Sequence, residues 1–391
     1  MNNEKEYRPR LDEDEMEVLE LYRAGLLDPD NAQAEYSEKL QARIQKGMDL
    51  RRIEKSSFRN VARLSNALEE YNKELIAALN EKSKKMVTKT HRPKEGSPVL
   101  ILQLSDLHLN ELVNIKSNKY DFYVASQRLK MLADETISMG KHQKTNKLVI
   151  AVLGDLLNSD RRIDELLSMA TNRAKATQLS IILLSQFLLH LNEHFNITLS
   201  GVTGNESRAK MEMGFGELLA TDNYDFTIYD NLRILLGDKK GFTFNMMQAN
   251  EALIEVYGKT FLLIHGHQIG GAGGDIQKKI QTVLGRFNKH GVIIHYVLAG
   301  HIHNAYVSDY FARNASLVGS NSYSEEALNY VSWASQNLHI VKSNGAINSM
   351  RVDLQDCYDH DMYPMEEHID AYNAKSSNKA KPEHVIIKVV V

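Results

Sequence analysis

The chain has 391 residues, 43% of them hydrophobic and 25% charged, with a net charge of −3. This composition excludes a largely disordered chain and a uniformly basic nucleic-acid coat, and the length predicts two to three domains at roughly 150 residues each. The one cysteine, Cys357, excludes an internal disulfide and a thiolate zinc site, so any metal must be held by His, Asp, Glu or Asn. No apolar run reaches the roughly 18 residues of a membrane span, and the polar start MNNEKEYRPR has no signal-peptide core. The expectation is a cytoplasmic protein without membrane contact.

Residues 1–92 read as an N-terminal helical module. The first thirty residues carry ten acids and four bases, whereas residues 31–94 carry fifteen bases and eight acids. The stretch LDEDEMEVLELYRAG predicts a short helix with Asp12 as N-cap and Gly25 as stop. Val61, Leu64, Leu68, Tyr71, Leu75 and Leu79 recur at three- and four-residue spacing, which predicts a long amphipathic helix from Asn60 to about Lys85. Two such helices suit either a helix-turn-helix-like contact with DNA or an oligomerisation helix with a solvated charged face. Lys89 to Pro98 (KTHRPKEGSP), with two prolines and a glycine, reads as a linker.

Residues 93–355 alternate between strand and helix patterns. VLILQL (Val99–Leu104), LVIAVL (Leu148–Leu153), Ile197–Val202 and Val292–Leu298 predict buried strands, separated by helical spacing over Asp121–Met139 and Asp160–His194. Ala252–Tyr257 and Thr260–Ile264 flank Gly258-Lys259, and Leu338–Val341 and Ala346–Val352 flank Asn344-Gly345, both hairpin signals. Early βαβα units followed by hairpins predict an α/β fold with a mixed sheet system and helices outside. Residues 356–391 read as a solvated acidic linker (Asp356, Asp359, Asp361, Glu366, Glu367). The closing HVIIKVVV reads as a strand that pairs with the core or with a second subunit.

The chemistry gathers where these strands end. Ser105-Asp106-Leu107-His108 follows the first strand and Gly154-Asp155 the second. Gly204-Asn205-Glu206 follows the third, and His265-Gly266-His267 and Gly300-His301-Ile302-His303 follow later ones. Loops at strand C-termini are where α/β proteins assemble ligands, so a fold that joins these ends converges two Asp, one Asn and at least four His. Carboxylates and neutral imidazoles without thiolate suit Mn, Fe or Zn. A pair of such ions roughly 3.5–4 Å apart clamps a phosphoryl group and generates hydroxide near neutral pH. The glycines before Asp155, Asn205 and His301 predict tight turns that aim the next side chain inward.

The ordered series DLH, GD, GN, HGH and GHIH, spanning Asp106 to His303 and about half of the chain, resembles the calcineurin-like metallophosphoesterase superfamily. The resemblance implies a double β-sandwich flanked by helices, in four αββα layers. It implies two divalent cations, with Mn2+ first among Mn, Fe, Zn and Mg. Asp106, His108 and His303 would hold the first ion, Asp155 would bridge both, and Asn205, His265 and His301 would hold the second. His267 is the alternative to His265. Members usually carry a His after the GN pair, where it stabilises the transition state and protonates the leaving oxygen; here that position is Glu206. Arg208, two residues on, and His267 are the candidates to supply the missing positive charge. Within the superfamily the chain is most similar to SbcD-type DNA-repair exonucleases and their phage-encoded relatives, through its N-terminal helical module and the stretches NASLVGSNSYSEEAL and ASQNLHIV after GHIH.

The resulting expectation is a two-metal phosphodiesterase, a nuclease acting on DNA. Its alternatives are a phosphomonoesterase or cyclic-nucleotide phosphodiesterase with a closed pocket, and a metal-containing DNA-binding protein whose catalysis Glu206 impairs. A homo-oligomer through the N-terminal helix or the C-terminal strand is also expected. Gly270–Gly274 (GGAGG) reads as a hinge beside the site or a phosphate nest. Arg161 and Arg162 read equally as substrate contacts and as solvated charge at a helix start.

Overall fold

The computed structural model describes residues 13–26, 84–209, 220–245, 249–269, 275–321, 324–325 and 331–376, with scattered positions between 28 and 81. The chain divides into two compact units, Met1–Ala77 and Ala78–Val391. In the first unit, helix α1 (Glu13–Arg23) ends where Gly25 adopts φ 69° and Leu26 donates its N–H back to Leu21 O, the left-handed stop the sequence predicts. The amphipathic helix expected over 60–85, the GGAGG run and the closing HVIIKVVV lie outside the described residues, apart from a few positions of the first.

The second unit is built on two sheets. Its first strands are β1 (Val99–Leu104), a short ribbon of β2 (Val113–Asn114) and β3 (Lys119–Tyr120), β4 (Lys147–Val152), β5 (Asn196–Gly201) and β6 (Phe242–Phe244). There follow β7 (Glu251–Val256), β8 (Lys259–Ile264), β9 (Tyr296–Ala299), β10 (Tyr306–Val307), β11 (Phe311–Arg313), β12 (Ser335–Val341) and β13 (Ile347–Asp353). One sheet runs β13-β12-β1-β4-β5-β6, with β1, β4, β5 and β6 parallel. The other runs β10-β11-β9-β8-β7, with β11, β9 and β8 parallel. Both predicted hairpins form, β7–β8 around Tyr257-Gly258 and β12–β13 around Asn344-Gly345.

The sheets pack face to face. Ile101, Ala151, Leu153 and Val202 of the first meet Phe261, Leu263, Tyr296 and Leu298 of the second. On the outer face of the first sheet, Leu104, Ile150 and Val152 meet Leu184, Phe187 and Leu188 of α4 (Arg173–Asn192) and Tyr229 and Leu232 of α5 (Tyr224–Leu236), with α2 (Phe122–His142) beside α4. The outer face of the second sheet is covered by α6 (Ile276–Asn288) through Ile280, Val283 and Leu284. The order is therefore αββα. Covering on both sides explains why runs such as VLILQL are apolar at nearly every position rather than alternating.

Four sequence readings change. The helix expected over Asp160–His194 is two helices, α3 (Ile163–Leu167) and α4. Between them Ser168 O and Ala170 N bond to Leu112 N and Asn110 O, and Asn172 caps α4, so strand-like pairing replaces a helical turn. Helix α4 is, by length and composition, apolar enough to cross a membrane, a candidate the search for unbroken apolar runs missed; most of its apolar window is buried on the sheet. The acidic stretch after 356 carries α7 (Glu366–Ala371), which keeps its acids exposed while Cys357, Tyr363, Met365 and Ile369 are buried. The segment read as a linker is also pinned: Lys89 and His91 exchange backbone hydrogen bonds with the side chains of Asn192 and Asn196.

Candidate metal centre

The parallel strands β1, β4 and β5 of one sheet and β8 and β9 of the other end on the same side, and each delivers one motif. Asp106, His108, Asp155, His301 and His303 all adopt left-handed φ, at 52°, 43°, 53°, 75° and 56°. Such conformations cost on the order of 1–3 kcal/mol each and persist only where the surroundings over-determine them. Here the loops hold one another: Asp106 N donates to Gly154 O, His108 N to Asp155 O, and Gly300 N to His265 O.

The glycines serve a purpose the sequence reading only partly expected. Gly154 does adopt φ 88°, a turn that favours glycine. Gly204 and Gly300 do not need a positive φ; they are needed for close approach. A Cβ on Gly204 would lie 2.1 Å from Asp155 Oδ1, and one on Gly300 would lie 2.2 Å from Asp106 Oδ2. Each buried carboxylate thus rests on the glycine of another motif.

The side chains form two groups whose donor atoms could each hold a metal ion, Asp106·His108·His303 and Asp155·His265·His301. In the first, His108 Nε2 and His303 Nε2 face each other at 3.1 Å, with His303 Nε2 3.4 Å from Asp106 Oδ1. In the second, His265 Nδ1 donates to Leu153 O at 2.7 Å and Nε2 faces Asp155 Oδ2, 2.9 Å away. Two acceptors cannot face each other at that distance, so a proton or a metal ion must sit between them. The titration shifts report that demand. Burial alone would lower His265, yet Asp155 carries it up to about 10, while Asp155, which burial would raise, is held far below the usual carboxylate range by His265. Burial and the neighbouring His303 push His108 down to about 4, leaving it a neutral donor.

These residues fit a pair of divalent cations. Asn205 Oδ1 is buried without a hydrogen-bond partner, an arrangement that costs free energy unless a ligand completes it. The donor set is oxygen and imidazole only, as Mn, Fe and Zn accept. Of the two histidines of HGH, His265 joins a donor group; His267 Nε2 instead accepts from Arg208 at 3.2 Å, and burial together with His265 and Arg208 pushes its pKa down to about 3.

The substrate-facing wall differs from expectation. Arg208, the candidate for offsetting Glu206, is engaged with His267. The cation on Glu206 is Arg161, at 2.9 Å from Oε2, and it also donates to Asn205 O and Ser159 Oγ. The buried Arg173 donates to Glu206 O and to Asp160 while lying over the Tyr224 ring. Glu206 N donates to Asp155 Oδ1 at 2.8 Å. Burial and Asp155 raise the Glu206 carboxyl above its ordinary value. A cavity of about 580 Å3 opens between Asp155, His301 and His303 on one side and Arg161, Arg162 and Glu206 on the other.

Sequence reasoning missed Asp225. This fully buried carboxylate accepts from Asp155 N and Gly204 N through Oδ2 and from Leu156 N through Oδ1. It ties the GD and GN loops together from behind. Burial and the charge of Asp155 push it up to about 6. Its only sequence signal is the short phrase Asn223-Tyr224-Asp225, in which Asn223 caps α5 and donates to Gly204 O.

No protein-family model matches the chain, and no curated protein sequence matches it. Among solved structures it is similar to wild-type Vps29 complexed with Zn2+ from Entamoeba histolytica, at 13% identity over 66% of this chain and 99% of that one, with a TM-score of 0.31. A predicted phosphoesterase from Streptococcus pneumoniae TIGR4 gives 12%, 68%, 94% and 0.29. A 5'-nucleotidase from Candida albicans SC5314 gives 9%, 75%, 56% and 0.32.

Proposed function

We propose that the chain is a two-metal phosphodiesterase that hydrolyses DNA. The observation that carries this reading is the pair of adjoining groups of candidate metal donors at the floor of one cavity. Asp106, His108 and His303 would hold one cation, Asn205, His265 and His301 the other, and Asp155 would bridge them. The chemistry such a pair supplies when bound is Lewis acidity at the phosphoryl group and a hydroxide nucleophile near neutral pH. The chain's own part is positional. Leu153 O fixes the His265 tautomer, Asp225 fixes the Asp155 backbone, and Arg161 offsets the Glu206 charge that would otherwise repel a phosphate. Arg161 and Arg162 on the cavity wall, and the basic stretch 31–94, favour a polyanion over a small substrate.

One observation favours a second reading. Glu206 is ion-paired, so it is poorly placed to protonate a leaving oxygen, and the protein would then bind metal and DNA with little turnover. One experiment separates the readings: hydrolysis of labelled single-stranded and duplex DNA, a chromogenic diester and a monoester, with Mn2+ or chelator, for wild type, Asp155→Ala and Glu206→His. We expect Mn2+-dependent DNA cleavage that chelator abolishes and Asp155→Ala lowers more than about 1,000-fold. Monoester turnover without DNA cleavage would overturn it in favour of a small-substrate enzyme. Metal binding without turnover, relieved by Glu206→His, would establish the impaired form.

A further inference from the structure

The chain has a single tryptophan, Trp333, and it is 55% exposed. Val331, two residues before it, is also exposed. Large apolar side chains of this kind normally lose water on folding, and adjacent exposed ones mark a surface that something else covers. They do not lie on a flat face. They line a cavity of about 350 Å3 together with Ser332, Asn304, Ala305 and Arg351. That volume falls within the roughly 300–1,000 Å3 of small-ligand pockets.

The position of this cavity identifies its occupant. Ser332 lines both it and the cavity of the metal centre, and Asn304 directly follows His303 of the first donor group. A chain that presents a phosphate to the metal centre and runs on past Ser332 would therefore reach Trp333. The lining asks for a flat apolar face against the indole and a polar edge against Asn304, Ser332 and the half-exposed Arg351 guanidinium, which also pairs with Asp353. An unpaired nucleobase has that shape and polarity, and it is covalently joined to a phosphodiester. A paired base inside a duplex has its faces and edges occupied.

We propose that this cavity binds an unpaired nucleobase of the substrate, stacked on Trp333, next to the phosphodiester held at the metal centre. The inference rests on the phosphodiesterase reading above and deepens it: the substrate is a single strand or a splayed end. Because Trp333 is the only indole, its fluorescence reports this cavity alone. The test titrates octathymidylate, an abasic deoxyribose-phosphate octamer and inorganic phosphate into the chelator-treated full chain, and measures KM for both octamers with metal present. We expect saturable quenching by octathymidylate and none by the abasic octamer or phosphate. We expect Trp333→Ala to raise KM for octathymidylate about tenfold and erase its preference over the abasic octamer, with Trp333→Phe retaining most of it. Equal quenching by both octamers, or an emission already that of a buried indole and unmoved by either, would overturn the inference. Quenching needs no turnover, so cleavage of both octamers without quenching sinks the base site alone. Quenching without cleavage under any metal sinks the phosphodiesterase reading alone.

Discussion

The floor and the wall of the metal cavity are made by different physics. On the floor, five residues sit in left-handed backbone conformations, two carboxylates lie buried against glycines, and neighbouring loops are joined by backbone hydrogen bonds. Buried side chains, Asp225 among them, clamp those loops through their backbone amides. On the wall, Arg161 and Glu206 are positioned by a side-chain pair, with Arg208, nearby in sequence, paired to His267, and the Arg161 and Glu206 side chains keep 23% and 27% of their surface exposed. A rigid floor suits cations that demand fixed donor geometry, while a wall of exchangeable pairs suits a polyanion whose phosphates must displace something. The floor should then fail through metal affinity and the wall through substrate affinity.

The sharpest way to break that contrast is Asp225→Asn. The variant leaves every donor side chain in place but gives up one of the oxygens that receive Asp155 N, Gly204 N and Leu156 N. Partners behind a metal ligand typically contribute 10–100-fold in affinity. A rise of about that size in the metal concentration giving half-maximal activity is expected, with kcat recovered at saturating metal and KM for DNA little changed. A variant whose KM moves and whose metal titration does not would show that the floor is not built by its backbone clamps.

The wall is tested by a double-mutant cycle. Arg161→Ala leaves Glu206 without its cation beside an incoming phosphate and should lower kcat/KM on DNA about tenfold; adding Glu206→Gln should recover much of that loss. The coupling free energy should be near 1 kcal/mol, as for a partly exposed pair. Additive effects would mean that the two side chains meet the substrate independently.

The same contrast explains what could be read in the sequence. The floor was legible because each of its residues belongs to a short phrase at the end of an apolar strand, such as SDLH after VLILQL or GHIH after the run that ends in β9, Tyr296–Ala299. Strand ends converge in any parallel α/β arrangement, so the phrases could be assembled without knowing the pairing. The wall was not legible, because Arg161 and Glu206 are 45 residues apart and nothing local ties them; Arg208 looked equally suitable and was closer. Asp225 was hidden for a related reason, since its partners are backbone amides, which carry no residue type. The glycines show a third case: Gly204 and Gly300 were noticed, but as turn residues, because the clash that excludes a side chain comes from a carboxylate on another strand.

The smallest expected effect concerns what lies beneath the floor. Gln103 reaches from β1 across the sandwich, donating to Ala299 O, the residue just before Gly300, and its Oε1 accepts from His339 Nε2 at 2.9 Å. His339 Nδ1 in turn accepts from Ser349 Oγ at 2.7 Å. A neutral imidazole satisfies both bonds, and burial pushes its pKa down to about 3 from an ordinary 6.5. The unfolded chain therefore takes up a proton below pH 6.5 that the folded one refuses until about pH 3. More protons on the unfolded state means that stability falls as pH falls, by roughly 1 kcal/mol per unit across that window. Replacing the imidazole by a group that does not titrate, His339→Gln, should flatten the slope of unfolding free energy between pH 6.5 and 5 relative to wild type, whatever it does to stability at pH 7. Equal slopes would mean that His339 is protonated in the fold, and the floor would then rest on a charge rather than on a neutral hydrogen-bonded strut.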